Sequence, residues 1–84
     1  MFVKTKPALK QRIIKEALLA AREEKGLSPE ELAEIVCLKG WHIKELEQEE
    51  TFRTFYSMAI KIQAAKKIGA YLGLSKEQYL ETQE

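Results

Sequence analysis

The chain has 84 residues, 45% hydrophobic and 32% charged, with a net charge of +1, which bounds it to one folded domain with one modest core. That balance excludes a disordered tail, and the longest apolar runs, such as Ala17 to Ala21, are far too short to span a membrane. No secretory leader is expected, because residues 1–15 hold five basic side chains without an apolar segment of the needed length. A single cysteine, Cys37, excludes an internal disulfide and fits a reducing cytoplasm.

The predicted elements are helical throughout. Thr5-Lys6-Pro7 opens a first helix, with proline in the first turn where its missing N–H costs nothing. Leu9, Ile13, Ala17 and Ala20 then recur at helical spacing until Gly26 supplies a left-handed stop. Ser28 and Glu31 form a capping box for a second helix, with Pro29 at its first position and Leu27 and Leu32 as a hydrophobic staple. The corner Cys37-Leu38-Lys39-Gly40 ends it, Gly40 being the expected break and Cys37 a small buried residue.

A third helix runs from Trp41 to about Glu50, with Ile43 and Leu46 on the core. After a short connection, Phe55, Met58, Ile62, Ala65, Gly69 and Leu72 trace one stripe of a long fourth helix that Gly73 stops. Ser75 and Gln78, with Leu74 and Tyr79, repeat the capping box and staple for a short fifth helix. Nothing alternates with period two over enough residues to suggest a sheet, and no internal repeat, linker or low-complexity tract appears. The expectation is one all-α, compact five-helix domain over residues 1–84, with a helix-turn-helix at about residues 28–50.

Charge is segregated along the chain. Residues 1–15 carry +5, residues 16–50 carry −6, residues 51–76 carry +5, and the last eight residues carry −3. Basic side chains that meet an anionic partner therefore come from the flanks, not from the motif.

The string LSPEELAEIVCLKGWHIKELEQEE, Leu27 to Glu50, resembles the helix-turn-helix of the lambda-repressor-like, Xre-type superfamily. Its marks are Leu27-Ser28-Pro29-Glu30-Glu31, Leu32-Ala33-Glu34, Ile43 and Leu46-Glu47, and Ala65 to Ser75 looks like that superfamily's closing helix and turn. Within it, Ala20 to Ser28, the corner Cys37-Leu38-Lys39, the exit Glu49-Glu50-Thr51-Phe52 and the long spacer from Glu47 to Ser75 are similar to the RodZ-type N-terminal domain. That resemblance implies a non-catalytic cytoplasmic module in bacterial cell-shape control. Such a module docks through its fourth helix onto the actin-like MreB filament and is tethered to the inner membrane if the natural chain continues into a span. The residues assigned to that contact are Phe52, Tyr56, Ile60, Lys61, Ala64 and Lys67.

The alternative is an Xre-type DNA-binding regulator, working as a homodimer because one short helix reads few bases alone. Its third helix would bring Lys39, Gly40, Trp41, His42 and Lys44 to the major groove. Against that stands its chemistry: no Arg, Gln or Asn precedes Gln48 to read base edges, and residues 39–50 sum to −2.

Other constellations have bland readings. Trp41 and His42 form a recognition tip or, more simply, a tryptophan capping the core beside a solvated histidine. Cys37 and His42 lack further ligands for a metal. The Glu pairs 23/24, 30/31 and 49/50 point about 100° apart on a helix and read as solvated faces rather than acid–base dyads. Arg53, Lys61, Lys66 and Lys67 form a basic run that reads plainly as a solvated face or, more sharply, as an electrostatic patch for an acidic partner, whether filament, phosphate backbone or lipid headgroups. With no Asp, no glycine-rich phosphate loop and no nucleophile beside a base, neither catalysis nor a cofactor is expected.

Overall fold

The computed structural model describes residues 10–83. In chain order it comprises β1 (Lys10–Ile13), α1 (Lys15–Glu24), α2 (Pro29–Ile35), α3 (Gly40–Gln48), α4 (Met58–Leu72), α5 (Lys76–Tyr79) and β2 (Leu80–Gln83). The fold is mostly helical; α2 to α5 lie close to where periodicity and caps place them, and α1 ends where Gly26 predicts but begins later than expected. Ser28 accepts from the Glu31 amide at 3.0 Å while the Glu31 carboxylate accepts from the Ser28 amide at 2.8 Å, so the predicted box closes on both sides. Gly26 and Gly73 take positive φ at the ends of α1 and α4, where amides fold back onto the last-turn carbonyls.

The two-stranded ribbon is a correction to the all-α expectation. β1 pairs antiparallel with β2, Ile13 opposite Leu80 and Arg12 opposite Glu81, and the Ile14 amide continues the contact by donating to the Tyr79 carbonyl at 2.8 Å. Segment 10–13 therefore leaves the predicted first helix, which begins only at Lys15. The proposed helix start at Thr5-Lys6-Pro7 and the Leu9 position lie outside the described residues. The pairing buries Ile13 and Leu80 together, which holds β1 and β2 against the helical core.

That core joins Leu18 and Ala21 of α1, Leu32 and Ala33 of α2, Ile43 and Leu46 of α3, and Ala65, Ile68 and Leu72 of α4. Phe55 is buried too, but from the connection before α4 rather than from the helix, because Ser57 caps the helix by accepting from the Ile60 amide at 3.2 Å.

Gly69 packs face to face with Tyr79. A methyl group there would lie 2.7 Å from the Tyr79 Cδ2 and Cζ atoms, inside contact distance of a buried ring. Alanine's better helix propensity offers about 1 kcal/mol, whereas overpacking a fixed ring costs about 1–3 kcal/mol. Gly69→Ala is therefore expected to destabilise by up to about 2 kcal/mol, read as a lowered urea midpoint; a raised midpoint would show that the ring yields freely.

The corner between α2 and α3 differs from expectation at two residues. The left-handed residue is Cys37, φ 61°, not Gly40, which is the first residue of α3. A Cβ at Gly40 would come 3.1 Å from Glu30 Oε2, the end of an exposed side chain that can move aside. Cys37 is exposed, not buried, because the positive φ turns its side chain off the helix end.

Candidate functional site

The connection between α3 and α4 shapes the site. Residues 50–57 take no regular structure, so their backbone groups need side-chain partners. The Glu45 carboxylate accepts from the amides of Arg53 at 2.9 Å and Thr54 at 2.6 Å and from the Thr54 hydroxyl at 2.8 Å. Lys61 projects from α4 into the same space, fully buried, donating to the carbonyl of Glu49 at 3.0 Å and to that of Thr51, with its Nζ 3.6 Å from Glu45. One buried ion pair thus ties both ends of the connection.

Burial by itself would raise the Glu45 carboxyl, but the Thr54 and Arg53 amides, the Thr54 hydroxyl and the Lys61 charge together hold it below the ordinary carboxylate value. Burial pushes the Lys61 ammonium down, a shift that the Glu45 charge partly offsets.

This corrects the assignment of Lys61 to a contact surface. Its place in a basic run suggested exposure, yet every hydrogen bond it makes points inward. No docking partner reaches it in this conformation.

Held this way, the connection forms one wall of a groove of about 690 Å³ against α4 and the corner before α3. Leu38, Phe55, Ile60 and Ala64 supply apolar surface, Tyr56 stands 90% exposed at the edge, and Lys66 and Lys67 border the opening. Four of the six residues expected to bind protein, Tyr56, Ile60, Ala64 and Lys67, come together here. Phe52 is 46% exposed but does not line the groove.

His42, expected in solvent, lines the groove instead. Its ring sits 4.6 Å from that of Phe55, and its Nδ1 accepts from the Lys39 amide at 3.2 Å, satisfying an N-terminal donor of α3. Trp41 is 58% exposed, which sets aside the reading of it as a cap on the core. The bland reading of this pair thus holds for neither residue, because α3 turns its second residue outward and its third against Phe55.

The five residues considered for DNA are divided among three depressions. Trp41 and Lys44 border a shallow one with Gln48 and Arg53, Lys39 and Gly40 lie in another beside Glu30, Glu31 and Glu34, and His42 faces the groove. Lys44 is also engaged by Glu30 at 3.4 Å.

The acids of the third helix serve mainly inside the fold. Glu47 pairs with the Arg22 guanidinium at 2.6 and 3.1 Å, and Arg22 also donates to the Leu27 carbonyl at 2.6 Å. The hydrogen bond from Glu47 outweighs burial and holds the guanidinium above its ordinary value. Glu50 meets Lys15 at 2.7 Å and Arg12 at 3.3 Å, and these partners, Lys15 foremost, lower its carboxyl. The sum of −2 over residues 39–50 therefore overstates the negative charge α3 shows to solvent. Sequence inspection had no signal for this, since the Glu45–Lys61 and Arg22–Glu47 partners lie 16 and 25 residues apart.

Among the described residues no three His, Cys, Asp or Glu side chains cluster as metal ligands, and no helix is long and apolar enough to cross a membrane. No protein-family model, curated protein or solved structure matches the chain.

Proposed function

We propose that the chain is a non-catalytic helix-turn-helix module of RodZ type that docks a protein partner, the actin-like MreB filament, through the groove on α4. The observation that carries this reading is the apolar concavity itself. An exposed tyrosine and isoleucine beside a preformed depression are the anchors of a protein contact, and isolated apolar surface residues would not gather this way. The capped α2, the corner and α3 support the helix-turn-helix assignment, and the ribbon adds a closure that this assignment did not anticipate.

Co-sedimentation with MreB filaments tests the proposal. The wild type is expected in the pellet, and the double variant Tyr56→Ala/Ile60→Ser, which alters only exposed side chains, is expected to lose affinity by about tenfold or more. A wild type that stays in the supernatant sinks the reading.

A second reading, an Xre-type DNA binder, gains one point from the internal neutralisation of Glu45, Glu47 and Glu50. It predicts duplex binding at low ionic strength that weakens steeply with added salt. Absence of binding at low salt removes it.

A further inference from the structure

We infer that the α4 groove accepts an acidic amphipathic helix, whose apolar side chains enter between Leu38, Phe55 and Ile60 and whose carboxylates meet Lys66 and Lys67. The inference rests on the protein-docking reading and specifies the chemistry of the docked segment.

Charge selects the sign of the partner. The chain holds thirteen acidic residues, yet among the described residues no carboxylate lines this groove, whereas two lysines do. Arg12, Lys15, Arg22, Lys44 and Lys61 are each engaged by a carboxylate of the same chain, but neither Lys66 nor Lys67 is, among the described residues. Their charge is open to an external anion, and a basic segment would be repelled.

Geometry selects a helix. Ile60, Ala64 and Lys67 follow one another at spacings of four and three along α4, so the groove is graduated in helical turns and suits anchors spaced in the same way. An extended peptide gains its affinity from main-chain bonds to an open strand edge, and this groove has no strand among its described walls, which are α4, the corner and the irregular connection. A helix brings its own backbone bonds and needs only apolar contact and charge.

Apolar contact also argues against nucleic acid. The surfaces of Leu38, Phe55, Ile60 and Ala64 would face sugar and phosphate groups that gain nothing from them, and two lysines neutralise few phosphates.

The test uses the isotope-labelled chain and two synthetic helical peptides sharing one Leu/Phe face, one carrying Glu on its remaining positions and the other Lys. The acidic peptide is expected to shift the amides of Ile60, Gln63, Lys66 and Lys67 and to bind about tenfold or more tightly than the basic one. Lys66→Glu/Lys67→Glu is expected to reverse that order, a gain of binding that an unfolded variant cannot give. Equal binding of both peptides, shifts located elsewhere, or the same amides responding to duplex DNA or anionic lipid vesicles but not to the acidic peptide would overturn the inference. The filament assay separates the two levels. Filaments lost by Tyr56→Ala/Ile60→Ser together with no acidic-peptide binding refute the partner chemistry alone, whereas a wild type that binds neither refutes both.

Discussion

Replacing Glu45 with leucine is expected to cost about 3–5 kcal/mol of folding free energy, because Lys61 would remain as a buried charge with its carboxylate partner gone. The amides of Arg53 and Thr54 would lose their acceptor at the same time. For a domain whose whole stability is about 5–15 kcal/mol, that loss unfolds a visible fraction of molecules. Lys61→Met leaves Glu45 with three donors and should cost less, and Glu45→Leu/Lys61→Met should recover part of the Glu45→Leu loss, since no unpaired charge remains. Urea unfolding of the four proteins measures this cycle. Strictly additive losses would show that the two side chains act independently.

The same pair sets an acid limb. Glu45 is held below its unfolded value, so the unfolded chain takes up a proton first as the pH drops. Its contribution is complete above about 4.3, the unfolded glutamate value, and is lost as the pH falls through the lower folded value. Lys61 is also depressed, so stability falls with pH between its unfolded value of about 10.4 and its lower folded value, where only the unfolded chain gains the proton. Glu45→Gln is expected to flatten the acid limb, and an unchanged limb would assign it to the exposed acids.

Glu47→Leu is the second large effect, also about 3–5 kcal/mol, because it strips the partner from a guanidinium whose side chain is 10% exposed between α1 and α3. Arg22 would keep only the Leu27 carbonyl. Glu47→Gln retains an acceptor for one of the two bonds and should lose less, so the two variants separate charge from hydrogen bonding. Thermal unfolding that ranks them equally would show that packing, not the ion pair, carries the contact.

These two pairs also show what could be read locally. The box at Ser28 and Glu31, the stops at Gly26 and Gly73, and the α4 stripe were legible because each depends on residues within one helical turn of another. Tyr56, Ile60, Ala64 and Lys67 are assigned to one surface by the resemblance to a domain that docks through its fourth helix, and three of them do fall at helical spacing on α4. Phe55, Leu38 and His42 could not be joined to them, since they arrive from a corner and a connection whose paths periodicity does not describe. Lys61 misled because a basic residue among basic residues looks solvated, and only the orientation of α4 against the connection shows that its ammonium is consumed by two carbonyls and Glu45.

By itself the sequence determined the order of the helices and most of their ends, the start of α1 excepted, because caps, glycine stops and apolar periods act over three or four residues. Tertiary structure decided the rest. It drew Lys10–Ile13 into a strand with Leu80–Gln83, turned Glu45, Glu47 and Lys61 inward, and gathered the groove from the corner, the connection and α4. Each of those outcomes joins groups distant in sequence, and their energy lies in desolvation and pairing that exist only once the chain has packed.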